Sequence, residues 1–170
     1  MRILYVTTIS LTMNCFFKPH LQMLVEQGHQ VDIACNYSEL PLAEQFHQLG
    51  CGIFQIDFSR SPLSGQNVKA YRQLKALVAK GNYDLVHCHT PNAAAVTRLV
   101  CRPLRKRGLK VYYTAHGFHF YKGAPLLNWL MFYPVERLCA RWTDVLITVN
   151  REDEALARRK LKAKQILYVP

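Results

Sequence analysis

Two rhythms of apolar and polar residues alternate along this chain. Short apolar runs, among them Ile3-Leu4-Tyr5-Val6-Thr7 and Val31-Asp32-Ile33-Ala34-Cys35, have the length and β-branched content of buried strands. Between such runs apolar residues recur every third or fourth position. Phe17, His20, Leu21, Leu24 and Val25 share one helical face, as do Tyr71, Leu74, Leu77 and Val78. The pattern predicts strands over residues 3–7, 31–35, 53–58, 84–89, 110–114, 145–149 and 166–169. Helices are predicted over residues 16–27, 42–49, 68–80, 93–102, 126–142 and 151–160, the fifth bent or restarted at Pro134. Gly28 and Gly50 stop the first two.

Alternating apolar strands and amphipathic helices specify an α/β domain, doubly wound, with a mostly parallel Rossmann-like sheet of about seven strands and helices on both faces. Ligands in such sheets sit where loops leave the C-terminal strand ends. The polar segments fall there: Thr8 to Asn14 after the first strand, His89-Thr90-Pro91-Asn92 after the fourth, His116-Gly117-Phe118-His119 after the fifth and Asn150-Arg151-Glu152-Asp153 after the sixth. Four polar loops are thus expected to converge on one sheet edge.

Composition adds three constraints. Half of the 170 residues are apolar, enough for one domain with its own core. No apolar run approaches the ~20 residues of a membrane-spanning helix. Met1-Arg2-Ile3-Leu4 lacks the pattern of an export signal, so a cytoplasmic location is expected. The six cysteines are scattered without a C-x-x-C pair and read as buried free thiols rather than bridges or a metal site.

The first loop contains no glycine, which argues against the G-x-G-x-x-G mode of dinucleotide binding and so against a nicotinamide oxidoreductase. Thr12 or Asn14 could cap the following helix, and the same segment could contact a substrate. His116 is the most suggestive side chain, able to donate, accept or polarise at the mouth of the sheet, and Gly117 beside it permits close backbone approach. His87 and His89 share a strand face, the first read as structural and the second as nearer the loop. Glu152 and Asp153 suit a helix N-terminus and could equally face the cleft.

Charge is uneven: Lys+Arg 22 exceed Asp+Glu 11, for a net +11. Arg98, Arg102, Arg105, Lys106, Arg107 and Lys110 form one basic cluster, and Arg158, Arg159, Lys160, Lys162 and Lys164 another, with Trp129 and Phe132 between them in sequence. Basic residues beside aromatics suit an anionic membrane surface. No nucleic-acid recognition signature accompanies them.

Ile3 to Thr8, Gly28-His29-Gln30-Val31-Asp32-Ile33-Ala34, Asp84 to Pro91, Thr114-Ala115-His116-Gly117-Phe118-His119-Phe120-Tyr121-Lys122-Gly123, and Glu136-Arg137 with Thr143 to Asp153 occur in the order of a known family. The whole chain resembles the N-terminal domain of family 4 glycosyltransferases, of the type serving bacterial capsular and exopolysaccharide synthesis. The resemblance implies a retaining GT-B enzyme without metal or cofactor, which takes a nucleotide sugar as co-substrate. It implies an acceptor, a lipid-linked glycan, received by this domain at the inner membrane face. By motif match His116 is the catalytic candidate. Ser10, Thr12, Asn14, His89, Thr90, Gly117, Phe118 and Glu152 would line the cleft, and Arg102, Arg105, Lys106, Arg107, Trp129 and Phe132 would face the membrane. Many relatives carry a Gly-Gly pair where this chain has Ser10-Leu11, which puts phosphate contact by that loop in doubt. Ile166 to Pro170 matches the strand before the interdomain linker, so the donor domain and its paired glutamates are expected elsewhere, as further sequence or a separate subunit. The isolated chain is then expected to be inactive. The competing expectation is a non-catalytic membrane-recruiting subunit that docks a donor-binding enzyme chain.

Overall fold

The computed structural model describes residues 1–170. Seven strands form one sheet: β1 (Arg2–Ile9), β2 (Gln30–Asn36), β3 (Gly52–Gln55), β4 (Leu85–His89), β5 (Lys110–Ala115), β6 (Val145–Thr148) and β7 (Gln165–Tyr168). Their order is β3-β2-β1-β4-β5-β6-β7 and every pairing is parallel. The helices are α1 (Ser10–Phe16), α2 (Lys18–Glu26), α3 (Glu44–Gln48), α4 (Gln66–Gly81), α5 (Pro91–Cys101), α6 (Leu126–Ala140) and α7 (Arg151–Lys160), with a 3-10 turn at Leu104–Arg107. The α/β doubly wound class expected from the pattern is the one observed.

Strand alternation sorts the core into two layers. Leu4, Val6, Val86, Val111, Tyr113 and Leu146 point into a 26-residue cluster completed by residues of α4, α5, α6 and α7. Ile3, Tyr5, Val31 and Ile33 point the other way, into an 11-residue cluster with Met13, Phe17, Leu21 and Phe46 from α1 to α3. That second face is fully covered over β1 and β2 but thins toward β7, where Ile147 is half-buried and Leu167 is 37% exposed.

Three local expectations are corrected. The polar loop after the first strand is a helix: α1 begins at Ser10, directly from β1, and a break at Phe17 separates it from α2. Tertiary bonds outweigh weak local propensity there. The Ser10 hydroxyl donates to the Leu40 carbonyl, and the Asn14 amide donates to Pro41 O (3.0 Å) and accepts from Ala43 N (2.9 Å). Asn14 therefore braces the β2–α3 connection and caps nothing. The strand expected over residues 53–58 closes at Gln55, although Ile56 and Phe58 remain buried. α6 runs unbroken through Pro134.

Arg98 is the largest departure. Its sequence neighbours are surface cations, yet it is fully buried, its guanidinium donating to Glu136 through Nη1–Oε2 (2.9 Å) and Nη2–Oε1 (2.7 Å). Nε donates to Ala94 O (3.0 Å), and Cζ lies 4.2 Å from the Tyr113 ring centroid. Burial opposes its charge, and Glu136 more than offsets this, raising the Arg98 pKa above its ordinary value. The pair ties α5 to α6 above β5. All six cysteines are free thiols, five of them buried, with burial pushing Cys35 and Cys88 up to about 12.

Candidate functional site

Strand order reverses between β1 and β4, so their C-terminal ends bound the crevice where ligands of this architecture sit. Thr8 lies where the β1–β2 register shifts between Val6 and Ile9, and Thr90 follows β4. The Thr8 N–H donates to Thr90 Oγ1 (3.0 Å), and the two hydroxyls are 2.7 Å apart. Thr90 has φ 65°, ψ 136°, a left-handed backbone rare for a β-branched residue and worth roughly 1–3 kcal/mol of strain. Pro91 then opens α5. The chain is held strained at the switch point itself.

A row of imidazoles runs from the core to this edge. His87 is buried, its Nδ1 3.2 Å from the Tyr5 hydroxyl and Nε2 2.9 Å from Thr114 Oγ1. His89 lies one pleat further out, ring centroids 4.2 Å apart, packed against Phe17 at 4.3 Å and stacked on Tyr5 at 5.5 Å. His89 is 2% exposed; its Nδ1 is 3.3 Å from His116 Nε2, and its own Nε2 has no partner. His116 is exposed at the end of β5. His89 was expected at the cleft surface, and the structure places it just behind His116.

Burial lowers the pKa of all three, His87 to about 3. In the unfolded chain a histidine titrates near 6.5, so below that pH the unfolded state binds more protons and stability falls as pH falls. The loss starts near the unfolded value and continues towards the folded one. By about pH 5, His87 alone is expected to remove roughly 2 kcal/mol, with His89 acting in the same direction. Urea melts across this interval should show the decline, and a steeper dependence than in His87→Gln. A flat profile would count against neutral buried imidazoles.

Gly117 carries φ 151°, a region that strains any residue with a Cβ, and lets the chain turn from His116 to the buried Phe118. The Phe118 N–H donates to Asp153 Oδ2 (3.2 Å), and Asp153 also accepts from Asn150 Nδ2 (2.8 Å). Asn150 Oδ1 in turn caps α7 through Asp153 N (2.8 Å). Among the acids in the first turn of α7, Asp153 therefore holds the His116 loop, and Glu152 is exposed to solvent.

Two adjoining cavities share Pro62, Asn92, His119 and Phe132 in their walls. The polar one, about 280 Å³, adds Thr8, Thr12, Arg60 and Thr90; the apolar one, about 160 Å³, adds Gly117, Phe118 and Phe120. Ser10 lines a neighbouring depression with Leu40 and Arg60. Asn92 Nδ2 donates to the Ser59 (3.0 Å) and Arg60 (2.6 Å) carbonyls, drawing the loop that carries Arg60 over the crevice. Sequence reading missed Arg60, because nothing in a Ser/Pro/Gly loop indicates which strand end it will overhang.

The residues expected at a membrane divide. Lys106 and Arg107 are exposed, as is Arg102, whose Cζ lies 5.0 Å from the Trp142 centroid. Arg105 is committed to Asp144 (Nη2–Oδ1 2.8 Å, Nε–Oδ2 3.0 Å). Trp129 packs edge-on against Phe120 and donates Nε1–H to Tyr121 O (3.2 Å), and Phe132 stacks on His119 at 4.5 Å. Both rings are half-buried. The start of α6 exposes aliphatic residues: Leu126 (74%), Leu127 (64%) and Leu130 (65%). No helix is long and apolar enough to cross a membrane.

The family of glycosyl transferase 4-like domains matches residues 21–170. The chain is 42% identical over 158 residues to EpsD of Bacillus subtilis (strain 168), named as a glycosyltransferase, covering 92% of this chain and 40% of EpsD. Among solved structures it is similar to sucrose-phosphate synthase of Thermosynechococcus elongatus (TM-score 0.69, 17% identity, 100% of this chain and 48% of that one). It is also similar to MurG of Acinetobacter baumannii (TM-score 0.63, 15% identity, 99% and 45%). At such identities these two likenesses concern the fold alone. The chain spans less than half the length of each of the three relatives.

Proposed function

Because the chain belongs to the glycosyl transferase 4-like domain family, we propose that it is the acceptor-binding half of a retaining GT-B glycosyltransferase. In this reading it works with a second Rossmann-like domain, on the same polypeptide or another, that holds most of the nucleotide sugar. The observation carrying the reading is His116, exposed at the end of β5, with the groove walled by Thr12, Arg60 and Thr90 opening on the same edge. An acceptor hydroxyl attacks the anomeric carbon on the face the nucleotide diphosphate leaves. The new carbon–oxygen bond forms as the bond to phosphate breaks, and the hydroxyl proton passes to the departing phosphate oxygen. Positioning and charge stabilisation supply most of the rate, with no metal or cofactor required.

The acceptor in this reading is a lipid-linked glycan at the cytoplasmic membrane face, extended during capsule or exopolysaccharide assembly. Support comes from α6, whose exposed Leu126, Leu127 and Leu130 lie close in sequence to Lys122 and Arg137, the composition of an interfacial surface. Co-sedimentation with anionic vesicles is expected at low salt, and is expected to weaken at high salt and in Leu126→Gln/Leu127→Gln/Leu130→Gln. Supplied with its donor-binding domain, the protein should move sugar from a nucleotide sugar onto a lipid-extractable acceptor, and the isolated chain should not. Vesicle binding without transfer, even when the donor domain is present, would instead make this a recruiting subunit.

A further inference from the structure

We infer that His89 is a positioning residue that fixes the tautomer of His116, leaving Nε2 bare and presenting Nδ1–H to the substrate. His89 Nδ1 and His116 Nε2 are 3.3 Å apart, and two neutral rings at that contact supply one N–H and one lone pair between them. Only two arrangements exist. Were His116 the donor, the proton of His89 would sit on Nε2, which is buried without any partner. Were His89 the donor, Nε2 would keep only a lone pair. A buried N–H without an acceptor is the rarer and costlier of these outcomes. His89 therefore donates, and the proton of His116 resides on Nδ1.

The surroundings hold this arrangement. His87 spends both nitrogens on Tyr5 and Thr114 and does not compete for His89. Phe17 and Tyr5 pack against the His89 ring and keep water from its Nε2. No carboxylate bonds to His89 to favour a charged form. His116 Nδ1 makes no bond within the protein and is the nitrogen left for a ligand.

The chemical consequence rests on the transferase reading; the tautomer does not. A neutral Nδ1–H can donate to a sugar hydroxyl, a ring oxygen or a phosphate oxygen, and cannot take a proton at that atom. His116 thus orients and polarises an oxygen instead of serving as general base. The test is two-bond proton–nitrogen correlation of the 170-residue chain with labelled histidine at neutral pH. His116 should be protonated at Nδ1, against the Nε2–H preference of a free imidazole. His89→Phe should return it to Nε2–H, and His89→Asn, whose amide nitrogen falls near the lost Nδ1, should restore Nδ1–H. A wild-type His116 protonated at Nε2 overturns the inference without any variant, as does an unchanged Nδ1–H in a folded His89→Phe. Neither result bears on whether the assembled enzyme transfers sugar.

Discussion

Replacing Arg98 with methionine is expected to cost the fold about 3–5 kcal/mol, because it strands Glu136 as a buried, uncompensated carboxylate. The side chains of Arg98 and Glu136 are 1% and 7% exposed, and their two-pronged contact has no water to fall back on. Against a total of about 5–15 kcal/mol for a domain, that leaves much of the population unfolded at moderate urea. The double change Arg98→Met/Glu136→Leu should recover most of the loss, since apolar residues of similar size can replace a buried pair. The Arg158–Glu154 pair at the surface of α7 is the contrast: its removal should barely move the urea midpoint. Urea midpoints of the four proteins measure this, and a single Arg98→Met as stable as wild type would dismiss the pair as a fold determinant. Because Glu136 and Phe132 stand on the same helix wall of the apolar cavity, loosening this pair also loosens the site.

The sheet was legible because a buried parallel strand announces itself as an apolar run, and seven of them occur at helix-spaced intervals. α1 was not, because Thr12 and Asn14 are poor helix formers and the segment is held by bonds from Ser10 to Leu40 and from Asn14 to Pro41 and Ala43, about 30 residues away. Arg98 was misplaced because a cation at the head of a basic cluster reads as surface. A signal did exist: it falls on the same α5 face as Ala94, Thr97 and Cys101, all buried. Its partner lies 38 residues on, and nothing in either segment points to the other.

At the site, strand-end reasoning located Thr90 and His116, and period-two alternation put His87 and His89 on one face. The His89–His116 contact needed more. The β4–β5 register sets His89 opposite Thr114, and the chain from Thr114 to His116 then determines how far the second ring overhangs the first. Arg60 and Asp153 depend on loop paths that composition does not encode. Composition pairs aromatic with basic residues without weighing depth, and so does not show that Trp129 and Phe132 are half-buried while the leucines of α6 are exposed.

In the protein assembled with its donor-binding domain, His116→Ala is expected to lower turnover by about 10²–10³-fold, the loss typical of one preorganised hydrogen-bond donor at a centre of developing charge. The fold should survive, since His116 is exposed and its one internal bond leaves only the His89 N–H to solvate. The KM for the acceptor should change far less than kcat if the bond tightens only as the sugar leaves. His116→Asn, which keeps an amide donor close to the Nδ1 position, should retain more activity than His116→Gln, whose amide reaches the Nε2 position facing His89. The opposite order would move the contact that matters from the Nδ1 position to the Nε2 position. Near wild-type transfer by His116→Ala, with an unaltered melting curve, would remove the residue from the chemistry altogether and leave the groove at Thr90 and Arg60 to account for the reaction.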